Sequence, residues 1–145
     1  MYVWAGGVKA PELVAASGLP TGHNGRVKVD QHLRVLDHPQ VYAAGDLASV
    51  VNPRTGHVLP PLAQVALEEA ETVAHNLDAE LDGGPLESFR FHDKGFVVSV
   101  GPRRGVAEVA GIATGGRLAH VLKDAVEWEY RQSVRHLRGW DPLAL

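Results

Sequence analysis

The chain of 145 residues contains no cysteine. Its absence excludes a disulfide framework, a thiol nucleophile, a redox-active dithiol and an iron–sulfur cluster, each of which needs thiols or thiolates. Long apolar runs are missing too. No segment approaches the ~20 residues of a membrane span and no signal peptide precedes the first strand-like run, so the expected location is cytoplasmic. The formal net charge is only −3, which gives no basic field for nucleic acid. Eight histidines are scattered with no H-E-x-x-H and no paired ligand spacing, so no metal site is assigned. The serines lack a nucleophile elbow, which argues against a hydrolase. No G-x-G-x-x-G follows a strand. Gly83-Gly84 and Gly115-Gly116 lack both the preceding strand and the third glycine of a phosphate loop.

What is present centres on residues 41–46, Val-Tyr-Ala-Ala-Gly-Asp. This short apolar run reads as an inner strand of an α/β sheet that stops on a glycine followed by a carboxylate, and ligands of such sheets collect at the carboxyl ends of the strands. Gly45 would allow close approach to the backbone, and Asp46 could accept hydrogen bonds from a polyhydroxyl group. An ordinary turn is the competing reading. Upstream, residues 1–8 form a second apolar run ending in glycines. Asn24-Gly25 signals a turn into Arg26-Val27-Lys28-Val29-Asp30, where the valines share one strand face and the charges the other. Downstream, Pro60-Pro61 leads into a helix over residues 62–77. Leu62, Val65 or Ala66, Val73 and Leu77 supply its apolar stripe, and Glu68, Glu69 and Glu71 look outward.

Five ordered segments resemble the FAD-dependent pyridine nucleotide oxidoreductases, most closely the type II NADH dehydrogenases, which pass electrons from NADH through FAD to quinone. Residues 3–8 (Val-Trp-Ala-Gly-Gly-Val) look like that family's strand ending near the flavin, residues 25–30 like the hairpin strand that follows, and residues 41–46 like its second FAD fingerprint. Leu62-Ala63-Gln64-Val65-Ala66 matches the start of its Ala-Gln-x-Ala-x-Gln motif, and residues 91–101 resemble its C-terminal strand pair. The resemblance implies that Gly45 and Asp46 contact FAD, with Asp46 on the ribityl chain. It implies that backbone amides of Leu62, Ala63 and Gln64 face the flavin ring, where a helix N-terminus favours the negative charge of a reduced flavin. Gln64 and Glu68 would lie on the quinone side. Glu68 replaces the motif's second glutamine and Ala70 a glycine, so those contacts carry over only in part. A proton donor and a solvated helix residue are equal readings of Glu68.

The missing glycine loops restrict the resemblance to the C-terminal portion of the enzyme. An isolated chain of this kind is expected to bind FAD poorly and to oxidise no NADH by itself. The expected fold is α/β: a partial, Rossmann-like FAD-binding domain over residues 1–82, followed by a small α+β unit over residues 83–145. Asp82-Gly83-Gly84-Pro85 marks the boundary. Beyond it, residues 86–92, 96–100 and 106–112 read as an antiparallel sheet.

Residues 117–138 read as an amphipathic helix carrying Lys123, Trp128, Arg131, Arg135 and Arg138, with Trp140 following. A helix packed on the sheet with a solvated basic face is one reading. Peripheral attachment to anionic lipid on the inner face of the cell membrane is the other. A non-catalytic module that dimerises or binds a partner, such as a missing N-terminal part, is the rival function, since absent domains would leave apolar sheet surface bare.

Overall fold

A computed structural model describes residues 1–137, with side chains described through Gln132; Arg138 and Trp140 lie outside the described residues, as does the side chain of Arg135. The chain divides into two compact units, Met1–Phe91 and His92–Leu145.

The first unit is built from short pieces. Helix α1 (Glu12–Ala16) is followed by a tight turn at His23–Gly25 and strand β1 (Val27–Lys28). Strands β2 (Arg34–Val35) and β3 (His38–Tyr42) pair antiparallel, whereas β1 pairs in parallel with β4 (Ala48–Ser49), Val27 opposite Ala48. Between β3 and β4 the chain makes one helical turn, Gly45–Leu47. Helix α2 (Ala63–Asp82) closes the unit. It starts directly after Pro60-Pro61, and it stops at Gly83, which takes the left-handed conformation at φ 69°. Gly84 N–H then donates to Ala79 O at 2.7 Å, which satisfies carbonyls the helix end would leave unpaired. Val27, Leu33, Val35, Ala48 and Val65 are almost fully buried at the centre of the core. Removing such apolar side chains from water, at ~25 cal/mol per Å², is the main favourable contribution to folding.

Three expectations change here. Residues 1–8 form no strand, and each of those side chains is exposed. A buried strand needs a ladder on its edges, and none of the described strands pairs with it. Residues 41–46 are not an inner parallel strand either: β3 ends at Tyr42 and its partner is the antiparallel β2. Residues 86–91 are also not a strand. They run along the first unit, where Phe89 is buried in the core and its N–H donates to Gln31 O at 2.8 Å.

The second unit is regular. Strands β5 (Phe96–Gly101), β6 (Arg104–Val109) and β7 (Ile112–Gly116) form an antiparallel meander, followed by helix α3 (Arg117–Leu137). The segment 106–112 expected to be one strand is split by a turn at Ala110-Gly111, with φ 51° and 78°, the pair of left-handed residues that a two-residue hairpin requires. Helix α3 packs on the face carrying Gly105 and Ala107: a methyl group at Gly105 would sit 3.2 Å from the backbone of Ala119 and His120. Small residues on both partners, Gly105, Ala107 and Ala119, are what permit that approach. None of the helices among the described residues is long and apolar enough to cross a membrane.

Candidate functional site

The Gly45–Asp46 corner is formed where the chain leaves the β2–β3 hairpin and turns under α2. Gly45 has φ +72°, a conformation that glycine adopts without penalty and other residues rarely adopt. Space is not the reason for glycine here, since a methyl group would only reach ordinary contact, 3.7 Å from Ala66 Cβ. The backbone turn itself demands it. Asp46 is exposed and lines a cavity of about 290 Å³ together with Lys9, Ala10, Arg26, Leu47 and Pro61. The cavity wall therefore combines a carboxylate, two cationic side chains and the proline that leads into α2.

The start of α2 has no side-chain cap, its N-cap position being occupied by Leu62 in extended conformation. Helix starts carry backbone N–H groups without intrahelical acceptors and a positive partial charge, so an uncapped start suits an electron-rich group. Leu62 and Ala63 are exposed and Gln64 is half-buried. Asp46 and Pro61 thus share that cavity, while Gly45, Leu62, Ala63, Gln64 and Glu68 do not line it. Glu68 is half-buried on α2.

The residue that the sequence reading misplaced is Glu69. Instead of facing water it is fully buried, and its Oε2 accepts a hydrogen bond from the Gly45 N–H at 2.5 Å. Its Oε1 is also buried and has no hydrogen-bond partner among the described residues. Burial, with a smaller push from the charge of Asp46, raises the carboxyl to about 7 against the opposing pull of the Gly45 hydrogen bond and of Arg26. Arg26 is a second correction. It is buried rather than on a charged outer face, and its Nη1 donates to Leu59 O at 2.9 Å. The signal for Glu69 was its spacing: Val65, Glu69 and Asn76 fall at i, i+4 and i+11, one face of a helix, and all three are buried. Leu62 and Leu77, assigned to the apolar stripe, are instead 42% and 45% exposed.

Asn76 uses the same face to fasten the 86–91 segment. Its Nδ2 donates to His32 O at 3.1 Å and Glu87 O at 3.0 Å, and its Oδ1 accepts from Glu87 N–H at 2.7 Å. With a full set of partners, a buried amide acts as a specific clamp. No cluster of metal-ligating side chains occurs among the described residues.

This is a mixed α/β fold whose acidic corner abuts a helix start. Residues 1–70 match the family described as pyridine nucleotide-disulphide oxidoreductase. Over 86% of its length the chain is 30% identical to a type II NADH:quinone oxidoreductase of Staphylococcus aureus (strain NCTC 8325 / PS 47), covering 31% of that protein. The sulfide:quinone oxidoreductase from the hyperthermophilic bacterium Aquifex aeolicus is similar with a TM-score of 0.67 and 19% identity, over 88% of this chain and 33% of that one. A NAD-dependent persulfide reductase from A. fulgidus is similar with a TM-score of 0.54 and 24% identity, over 69% of this chain and 17% of that one. At these identities the structural likenesses speak for the fold alone. Residues 1–70 thus match a pyridine nucleotide-disulphide oxidoreductase pattern, and over 86% of its length the chain is similar to type II NADH:quinone oxidoreductases. It spans about a third of the length of the curated relatives it matches, 31%.

Proposed function

We propose that this chain supplies part of the flavin site of an FAD-dependent NADH:quinone oxidoreductase, with Asp46 as its principal polar contact. The observation that carries this reading is the joint placement of Asp46 and Pro61 on one cavity wall, beside an uncapped helix start. These groups fit part of FAD. A carboxylate accepts hydrogen bonds from a polyhydroxyl chain, and a helix start favours the electron-rich edge of a flavin ring. The bound flavin would carry the redox chemistry, taking hydride from NADH and delivering electrons to quinone. The chain's own residues would bind and orient it: Gly45 by setting the turn, Asp46 by accepting hydroxyl hydrogens, and Leu62, Ala63 and Gln64 by offering backbone N–H groups. Gln64 and Glu68 would form the quinone side. Full-chain titration with FAD, followed by flavin fluorescence, tests the assignment. We expect weak binding that Asp46→Asn weakens about tenfold, the worth of a hydrogen bond to a charged acceptor; equal affinity of the two proteins would remove Asp46 from the site.

Peripheral attachment through α3 belongs to the same reading. Trp128 and Tyr130 on this helix are 65% and 54% exposed, and aromatic side chains of this kind favour a membrane interface. Two of its basic residues are engaged within the helix, Lys123 and Arg131 both pairing with Glu127 at 2.6 and 3.7 Å. Co-sedimentation with anionic vesicles that declines with salt is the expected result, and equal recovery on neutral vesicles would count against it. A second function, self-association without catalysis, is favoured by the β5–β6 face. There Phe96, Val98 and Val106 are each 43–51% exposed and adjacent in register. A concentration-dependent dimer by light scattering would support that reading, and a monomer throughout would exclude it.

A further inference from the structure

We infer that Glu69 is the positioning residue of the flavin-side corner: its buried carboxylate holds Gly45 from the α2 side, and its charge state sets how strongly Asp46 binds a polyhydroxyl ligand. The inference rests on the flavin-site reading for its ligand, but its first link lies within the chain itself.

Geometry supplies that link. Glu69 is fully buried, with one oxygen on the Gly45 N–H at 2.5 Å and the other enclosed without a partner among the described residues. A carboxylate half-satisfied in this way is costly to keep if its only purpose is packing, because an apolar residue or a glutamine would fill the same space without a buried charge. Gly45 immediately precedes Asp46, so whatever fixes the Gly45 amide also fixes the start of the turn that presents Asp46. The charged groups acting on Glu69 are Arg26, from the segment entering β1, and Asp46 from the corner itself. Burial outweighs Arg26 and the hydrogen bond, and brings the carboxyl to about 7. Near neutral pH Glu69 therefore exchanges between a charged form that repels the Asp46 charge and a neutral form that does not. The charge on Asp46 in turn favours the neutral form of Glu69.

The test is a pH titration of the full chain from pH 5 to 9, following the Gly45 amide by ¹⁵N-resolved NMR, with FAD added at the two ends of the range. In the unsubstituted protein the Gly45 amide should shift sigmoidally with a midpoint near 7. In Glu69→Gln that sigmoid should vanish. In Asp46→Asn, an exposed position that leaves the core untouched, the midpoint should fall, because a neighbouring negative charge has been removed. A flat Gly45 profile, a sigmoid that persists in Glu69→Gln, or an unmoved midpoint in Asp46→Asn would each overturn the positioning role. The affinity for FAD should differ several-fold between pH 5 and pH 9 in the unsubstituted protein and be equal at both in Glu69→Gln. A titrating Gly45 amide accompanied by no FAD binding at either pH would refute the flavin reading while leaving the Glu69 clamp standing, and FAD binding with the same pH dependence in Glu69→Gln would refute the control by Glu69.

Discussion

The two units of this chain solve the problem of specifying a structure in opposite ways. The second unit is regular: three strands in sequence order, tight turns, one long helix, and a contact layer made of the small residues Gly105, Ala107 and Ala119. The first unit has four strands, three of them two residues long, and it is held in shape by buried polar side chains that hydrogen-bond across it: Arg26, Glu69 and Asn76. Where strands are too short to impose a register, single hydrogen-bonded side chains take over that task. The irregular unit is also the one that carries the acidic corner and its cavity. Regularity gives a scaffold, whereas irregular chain fixed by buried polar groups can place a particular carboxylate at a particular edge.

The contrast can be broken at its backbone in the second unit. Gly95 has φ +91°, and an added methyl group would collide with the Glu108 carbonyl on β6. Gly95→Ala should cost about 3 kcal/mol or more through strain and displaced pairing. Urea denaturation followed by Trp128 fluorescence would show it, and an unchanged midpoint would mean that the β5 entry is looser than described. In the first unit the equivalent lesion is a side chain. Asn76→Ala removes three hydrogen bonds to His32 and Glu87, for a loss of about 2–3 kcal/mol. Hydrogen exchange at Glu87 and Phe89 should accelerate while the strands of the second unit keep their protection.

Glu69→Gln has a smaller effect, confined to part of the pH range. The folded carboxyl is raised to about 7 from 4.5. The native state therefore holds the proton more tightly than the unfolded chain does. Its stabilising contribution is complete below pH 4.5 and is lost as pH rises through 7. The stability of the unsubstituted protein relative to Glu69→Gln should thus fall across that window, by on the order of 2 kcal/mol. Thermal melts of both proteins at pH 5 and pH 8 measure it, and a difference that does not vary with pH would contradict the burial of the carboxyl.

Local chemistry made some of this fold legible and hid the rest. The start of helix α2 was visible because it is written in adjacent residues, Pro60-Pro61, whereas its expected end at residue 77 falls short of Asp82, where Gly83 stops it. The hairpin strand around Val97 and Val98 was visible for the same reason, between Gly95 and Gly101. Residues 1–8 misled because apolar composition says that a segment would suit a buried strand, but not whether a neighbouring strand is there to receive it. Residues 86–91 misled differently: Phe89 and Phe91 have strand-like spacing, yet the backbone is held by Asn76 and Gln31 rather than by a ladder. On α2, charge was taken as a sign of exposure, and the interior face proved to carry a glutamate and an asparagine. The turn at Gly45-Asp46 is marked locally by its glycine, but its hydrogen bond to Glu69 spans 24 positions in the chain, which no local pattern records.

We propose that a flavin meets this chain at the corner formed by Gly45 and Asp46, beside the start of α2. Mapping amide shifts of the full protein on addition of FAD tests it most directly, since weak binding is enough to move them. The expected shifts are concentrated at Gly45, Asp46, Leu47 and the residues from Pro61 to Gln64 and are reduced in Asp46→Asn. Shifts confined to the second unit, or a pattern unaffected by Asp46→Asn, would contradict it.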